Sequence, residues 1–225
     1  FAAVQKTTSL GHAISRLGDR YLKAILVELS ARQLFASRNP RIRKALEGIW
    51  EHSRATAILS KEISMLLGGA VDHEAAYLAG LLHDAGKPMV AGLLLEAERQ
   101  IASRDRKFMN ERLWLNVVNQ SHREVGLSVA QAWKLPQDVA GVIGDCGFYD
   151  RDNPRSLLNC VTLANALAKR DAVYPGEVEI EEIVGLVFEG TSLLGLEDAD
   201  IEDVVSTLAE QLEDKDEHPA AEKES

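Results

Sequence analysis

Apolar residues recur along most of the chain every three or four positions, which is the spacing of one face of an α-helix. The longest such run starts after Asn39-Pro40, a cap followed by a first-turn proline, and ends at Gly68-Gly69. Neither an extended alternation of apolar and polar residues nor a repeat of roughly 20 to 50 residues is found. The pattern therefore predicts an all-α fold.

The same spacing predicts helices on both sides of this run. Asp19 starts a helix that continues towards Phe35, and Asp72 can cap the one that follows Gly69. Further helical segments are predicted at about residues 9–17, 90–115, 138–144, 180–188 and 200–212.

Two more helix starts are predicted from local signals. Ser121-His122-Arg123-Glu124 has the form of a capping box, in which a serine hydroxyl and a glutamate carboxylate satisfy the first free amides of a helix. Asn153-Pro154 repeats the cap-and-proline opening. We therefore expect one helix to begin at Ser121 and another at Asn153.

Composition predicts one soluble domain. The chain has 225 residues, of which 46% are hydrophobic, enough for a single core. No apolar run reaches the roughly 18 to 20 residues that cross a bilayer, and no signal segment opens the chain. We expect a cytoplasmic protein without a membrane partner, with a domain over 1–213 and a disordered acidic tail over 214–225. Cys146 and Cys160 have no metal or redox spacing and are predicted to be core residues.

Charge is distributed unevenly along the chain. Residues 177–225 contain 17 acidic and two basic residues, whereas residues 1–176 contain 18 acidic and 23 basic residues. An acidic C-terminal part repels phosphates, and the basic stretch at 99–107 lacks interleaved aromatic residues. No DNA partner is predicted.

The strongest candidate for chemistry is Leu81-Leu82-His83-Asp84-Ala85-Gly86-Lys87. An adjacent imidazole and carboxylate at the end of a helix can serve one metal ion as nitrogen and oxygen ligands. His52 shares a face with the apolar residues of its helix and therefore points inwards, either as a further ligand or as a core histidine bonded to a carbonyl. His122 and Asn165 also fall on inward-facing positions.

These residues resemble the signature of the HD superfamily of metal-dependent phosphohydrolases, and the surrounding sequence is most similar to its signalling branch, the HDOD family. Further similar segments are Trp50-Glu51-His52-Ser53, the residues 121–126 and the residues 161–168. The resemblance covers about residues 8–175. It implies the helical arrangement of the HD fold, with the family's N-terminal helices missing from this chain.

The resemblance also implies a set of metal ligands. These are His52, His83, Asp84, His122 and the position of Asn165. Active relatives carry aspartate where this chain has Asn165, so this ligand position is degenerate. The implied ion is divalent: Fe, Mn, Zn, Ni or Mg.

If the site were active, the catalytic residues implied by the resemblance would be Asp84 and Lys87, with the lysine meeting a phosphate. The alternative for Lys87 is a solvated lysine at a helix end. The related HD-GYP enzymes carry paired histidines where this chain has Gly144 and Asp145, and their Gly-Tyr-Pro triplet is absent. We take Tyr174-Pro175 as coincidental, and a two-metal site is not expected.

Two functions remain open. One is a bacterial-type signal-transduction domain that is non-catalytic and acts through signalling proteins or adjacent sensory domains. The other is a metal-dependent phosphohydrolase acting on a nucleotide or another phosphoester. Asn165 favours the first, because its neutral amide lacks the charge that holds the ion. A pocket that senses a metal or a nucleotide without turnover lies between them, and a homodimer is compatible with either.

Overall fold

The computed structural model describes residues 28–102, 111–171, 173, 174, 176 and 178–216. Regular secondary structure in these residues is entirely helical, which confirms the predicted all-α fold. In chain order the helices are α1 over the described residues 28–35, α2 (Pro40–Leu66), α3 (His73–Leu82), α4 (Gly86–Ala102), α5 (Glu111–Ala132), α6 (Gln137–Asp145), α7 (Leu157–Arg170), α8 (Ile180–Leu194) and α9 (Asp198–Asp216).

Helix α2 is the centre of the fold and packs against α3, α7 and α9. With 27 residues it is long enough to take part in two hydrophobic cores. Its N-terminal half, including Leu46 and Ile49, packs in a core with α1, α3, α4 and α5. Its C-terminal half, including Leu59 and Ile63, packs in a second core with α7, α8 and α9. His52 lies between these two halves.

Helix α7 is the interior helix. Its residues 159–168 are all buried, which is the pattern of a helix enclosed by neighbours on every side. It packs against α2, α3, α6 and α8. Polar residues on such a helix must find partners inside the protein, and Asn165, which is 6% exposed, is one of them.

The start and end of α2 are as predicted, and so is the cap of α3. Helix α2 begins at Pro40 and ends just before Gly68 and Gly69, which adopt φ values of 61° and 86°. Such positive angles favour glycine because it has no Cβ. The Asp72 carboxylate accepts a hydrogen bond of 2.8 Å from the amide of Ala75.

The predicted helix start at Ser121 is wrong. Helix α5 runs without interruption from Glu111 to Ala132, so Ser121 lies in its interior. A capping box is a local signal, and no glycine or proline stands between Glu111 and Ser121 to end the preceding turns. The start at Asn153 is displaced as well, because α7 begins at Leu157 behind Ser156, whose side chain accepts a hydrogen bond from the Asn159 amide.

Several predictions fall partly or wholly outside the described residues. These are the helix at 9–17, the first part of the helix from Asp19, and residues 103–110 of the segment 90–115. Helix α9 continues through Asp216 and so overlaps the start of the predicted tail, of which residues 217–225 are not described. Within the described part of the chain, no helix is both long and apolar enough to span a membrane.

Candidate functional site

A cluster of polar side chains lies buried between the two cores. His52 comes from the middle of α2, His83 and Asp84 from the turn after α3, and Lys87 from the first turn of α4. They are exposed by 0%, 4%, 3% and 5%, respectively. His122 of α5 lies within 3.5 Å of Asp84, and Asn165 of α7 lies 3.0 Å from His52. The fold therefore brings all six predicted site residues together.

Each of the three histidines points its Nδ1 atom at a backbone carbonyl oxygen. The distances are 2.7 Å from His52 to Val173, 2.7 Å from His83 to Gly80 and 2.6 Å from His122 to Asn119. Because a carbonyl only accepts, Nδ1 carries the proton and donates it in each case. The Nε2 atom is then turned towards the cluster. Histidines that bind metals are commonly held in this way.

The geometry fits a metal site. His52, His83 and Asp84 each offer a ligand atom within 4.8 Å of the other two. The buried Nε2 of His83 has no hydrogen-bond partner, and at 3.4 Å it is close to the Asp84 carboxylate without bonding to it. Burial lowers the pKa of His52 to about 3 and also lowers the pKa of His122, so both rings are neutral near pH 7. Neutral imidazoles with inward lone pairs can ligate a divalent ion.

Asp84 is paired with Lys87. The ammonium nitrogen lies 2.6 Å from Asp84 Oδ2, and both side chains are buried. Burial alone would raise the pKa of Asp84, but Lys87 and His83 hold it well below its usual range. Burial likewise opposes the charge on Lys87, but Asp84 raises its pKa above the ordinary value. The alternative of a solvated Lys87 is therefore wrong: this lysine is an internal cation beside the candidate metal ligands.

Asn165 closes the other end of the cluster. The side-chain oxygen of Asn165 is placed 3.0 Å from His52 Nε2, and its side-chain nitrogen is placed 3.5 Å from the Cys146 sulfur. Because His52 Nδ1 holds the ring proton, Nε2 can only accept, so we assign the amide in the flipped orientation, with its N–H towards His52. The amide oxygen then faces the Cys146 thiol, which can donate. In this orientation Asn165 covers the lone pair of His52 that a metal would use.

The cluster borders a cavity of about 200 Å³ that is also lined by residues not predicted to belong to the site. Arg123, Cys146, Lys169 and Tyr174 all line it. Lys169 could have been found from helical spacing, since it follows Asn165 by one turn on α7. Tyr174 lies in the segment after α7, where no periodic signal is present. Its ring contacts His52 edge-on with a centroid distance of 5.0 Å, so Tyr174 is part of the pocket.

A close helix contact sets the position of His122. A Cβ atom on Gly86, at the start of α4, would lie 1.8 Å from the carbonyl oxygen of His122 and 2.8 Å from the amide of Gly126. Only glycine permits α4 and α5 to approach this closely.

Gly144 and Asp145, which stand where HD-GYP enzymes carry paired histidines, are not among the residues that line the cavity.

The model of the HDOD domain family matches residues 1–145 of the chain. Among solved structures, the chain is similar to a protein from Shewanella amazonensis SB2B that is named as a metal-dependent phosphohydrolase. That similarity has a TM-score of 0.64 and 19% sequence identity over 92% of this chain and 74% of the other. At this identity it concerns the fold. No curated protein matches.

The family match includes the predicted residues of α2, α3, α4 and α5, from His52 to His122. Helix α7, with Asn165 and Lys169, lies beyond the matched residues. The match nevertheless extends over more than half of the chain, and the helical fold and the His-Asp cluster agree with it. The chain belongs to the HDOD family.

Proposed function

We propose that this chain is a non-catalytic regulatory domain that acts through other proteins. The observation that carries the proposal is the charge of the pocket. Asp84 is the one carboxylate among the described residues that line it, and Lys87 is already paired with that carboxylate. Hydrolysis at a metal site needs anionic ligands that hold the ion and offset its charge. With a neutral Asn165 in the last ligand position, this pocket does not supply them.

The donor set supports binding of a divalent metal without turnover. His52, His83 and Asp84 would hold the ion, and His122 is adjacent. Imidazole nitrogens suit Zn, Ni and Fe, whereas Mg and Mn prefer oxygen ligands. Of the predicted ions we therefore favour the first three. When bound, such an ion supplies a Lewis acid.

An exposed stripe on α8 supports a protein partner. Ile180, Val184 and Phe188 recur every four residues and are exposed by 57%, 52% and 77%. Glu181 and Glu182 flank this stripe. Clustered exposed apolar residues are typical of interaction surfaces, and the flanking acids favour a partner with basic residues around an apolar face. Such a partner would be a signalling protein or an adjacent sensory domain.

A residual phosphohydrolase is the second candidate. It is favoured by the His83 Nε2 atom, which is buried without a hydrogen-bond partner and is turned towards Asp84. The similarity to a protein named as a metal-dependent phosphohydrolase concerns the fold and does not decide between the two.

The test is to measure metal content and hydrolysis in the same preparation. The purified chain would be analysed by inductively coupled plasma mass spectrometry and then assayed on p-nitrophenyl phosphate and bis-p-nitrophenyl phosphate with Zn²⁺, Ni²⁺, Fe²⁺ or Mn²⁺. We expect no turnover above that of the free ion, with or without retained metal. Turnover that is lost in His83→Ala, with helical content unchanged by circular dichroism, would contradict the proposal and establish the hydrolase.

A further inference from the structure

We propose that the cavity binds a small dianionic oxyanion, inorganic phosphate or a phosphomonoester, between Lys169 and Arg123. This deepens the proposed regulatory function by naming the class of ligand that the pocket senses. It rests on a charge imbalance within the cavity and on the way each of the two cations is held.

Lys169 is a pocket cation that has no carboxylate partner among the described residues. It is half-buried near the end of α7, and its ammonium lies 5.3 Å from the centre of the Tyr174 ring. It makes no hydrogen bond or ion pair to any residue in the described ranges. Burial and the neighbouring Lys87 act to lower its pKa, while Asp84 opposes them. A cation withdrawn from water in this way is stabilised by an anion that enters the cavity.

Arg123 is the second pocket cation, and it is held in place. Its guanidinium donates a hydrogen bond to the Cys146 carbonyl oxygen and lies 5.2 Å from the centre of the Phe148 ring. Across the described part of the chain, no carboxylate lies within ion-pair distance of it. A guanidinium has five N–H donors, so one bond to a carbonyl leaves others for a ligand. A fixed guanidinium fork matches a tetrahedral oxyanion well.

The ring of Tyr174 contacts both lysines of the pocket. Its ring lies 5.1 Å from the Lys87 ammonium and 5.3 Å from the Lys169 ammonium. Lys87 is held on Asp84 at 2.6 Å. The ammonium left for a ligand is therefore that of Lys169.

Charge and volume together indicate the class of ligand. Leaving the histidines aside, the described lining residues comprise one carboxylate and three basic side chains, a formal balance of +2. A phosphate or phosphomonoester carries about −1.5 to −2 near pH 7. The cavity of about 200 Å³ is smaller than the roughly 300 to 1,000 Å³ typical of sites for drug-sized ligands. It suits a single phosphate group with a small substituent better than an enclosed nucleotide.

The experiment is a titration of the full chain with inorganic phosphate at constant ionic strength, by isothermal titration calorimetry and thermal unfolding. Glycerol 3-phosphate tests the monoester, sulfate tests a dianion in general, and chloride is the ionic-strength control. We expect saturable binding with a rise in Tm. Lys169→Met keeps the length of the side chain but removes its charge, and it should weaken binding about tenfold or more.

Two further variants separate a specific site from non-specific attraction. Lys44→Met removes an exposed lysine that does not line the cavity and should leave phosphate binding unchanged. Lys169→Met should also raise Tm in the absence of phosphate, because it removes an uncompensated charge near Lys87. Arg123→Lys retains the charge without the fork and should weaken binding while the protein stays folded.

No saturable binding, or equal binding to the parent chain and Lys169→Met, overturns the proposal. This outcome is distinct from failure of the regulatory function, which would be metal-dependent turnover lost in His83→Ala. Phosphate binding with turnover would keep the anion site and reject the non-catalytic assignment. If the chain neither binds phosphate nor shows turnover, the anion site alone is rejected.

Discussion

The two walls of the pocket differ in how their polar groups are satisfied. The donor wall consists of His52, His83, Asp84 and His122, and most of its polar atoms are held by neighbouring groups. The cationic wall consists of Arg123, Lys169 and Tyr174, and its charges have no carboxylate partner among the described residues. His83, Asp84 and His122 of the donor wall line the same cavity as the cationic wall, with His52 behind them, but only the cationic wall has a net charge left to balance.

This difference shows at which wall a bound ligand would stabilise the protein most. On the donor wall a metal must compete with the Lys87 ammonium for Asp84 and with the Asn165 amide for His52. On the cationic wall an anion displaces no protein group, since Lys169 and Arg123 are bonded to no described carboxylate. The molecule therefore combines a metal site opposed by its own side chains with an anion site that they leave open. The following changes test this contrast.

The largest effect is expected from removal of the Asp84 carboxylate. Asp84→Ala leaves Lys87, which is 5% exposed, as a buried charge without its partner. Loss of one member of such a pair costs about 3 to 5 kcal/mol. Urea unfolding followed by circular dichroism would measure this loss.

The double variant Asp84→Ala/Lys87→Met is the matched control. It removes both charges together and should recover most of the lost stability. Because it should stay folded without the Asp84 carboxylate, this double variant is also better suited than Asp84→Ala to show whether metal retention depends on Asp84. If it is as unstable as Asp84→Ala, the pairing of Lys87 is not the cause.

A second change would push α4 away from α5, the helix that carries His122 of the donor wall and Arg123 of the cationic wall. Gly86→Ala places a Cβ atom 1.8 Å from the His122 carbonyl oxygen. Because both sides of this contact are backbone, we expect a loss of about 3 kcal/mol, at the upper end for overpacking. The free energy of unfolding in urea measures it.

Gly92 lies on the same helix, is exposed and has nothing within 4 Å of its added Cβ. Gly92→Ala should therefore stabilise the protein by about 0.5 to 1 kcal/mol. Equal effects of the two substitutions would mean that helix propensity, and not the contact with α5, decides both.

At acid pH the donor wall should also become positively charged, because its histidines take up protons, and the two walls would then no longer differ in charge. The pKa of His52 is about 3 in the folded chain and 6.5 in the unfolded one, so between these values the unfolded chain binds more protons. The free energy of unfolding then falls as the pH falls, by up to about 1.4 kcal/mol per pH unit for this histidine. His122 acts in the same direction, and the lowered pKa of Asp84 adds a further loss below its ordinary value of 3.8.

Urea unfolding at a series of pH values would measure this dependence. His52→Asn preserves an N–H donor for the Val173 carbonyl but does not titrate, so its slope should be shallower. An unchanged slope would mean that His52 does not remain neutral in the folded protein.

A smaller effect than those of Asp84→Ala and Gly86→Ala is expected from restoring a second carboxylate. Asn165→Asp places a negative charge beside His52 Nε2 and should tighten binding of Zn²⁺ about tenfold, equivalent to about 1.4 kcal/mol. Calorimetric titration with Zn²⁺ measures this change.

Asn119→Asp adds the same charge at another position that lines the cavity and should change Zn²⁺ affinity less. If the two substitutions act equally, Asn165 affects the ion through its charge and does not occupy a ligand position.

The features that the sequence predicts correctly are those that depend on a single helix. The inward orientation of His52 and Asn165 follows from a period of 3.6 residues, the start of α2 at Pro40 from the fixed backbone angle of proline, and the cap at Asp72 from short-range bonding. The predicted helix start at Ser121 is wrong, because a capping box cannot report whether the preceding turns end. The predicted site also lacks Lys169 and Tyr174, since neither belongs to a recognisable motif.

The sequence by itself determined the helices, their buried faces and the identity of the groups that can bind a metal. Only the tertiary structure decided their partners. His52 donates to Val173, 121 residues away, and the His122 ring of α5 comes within 3.5 Å of the Asp84 carboxylate after α3. Local periodicity specifies which way a side chain faces, but its bonding and charge state depend on groups that distant parts of the chain bring to it.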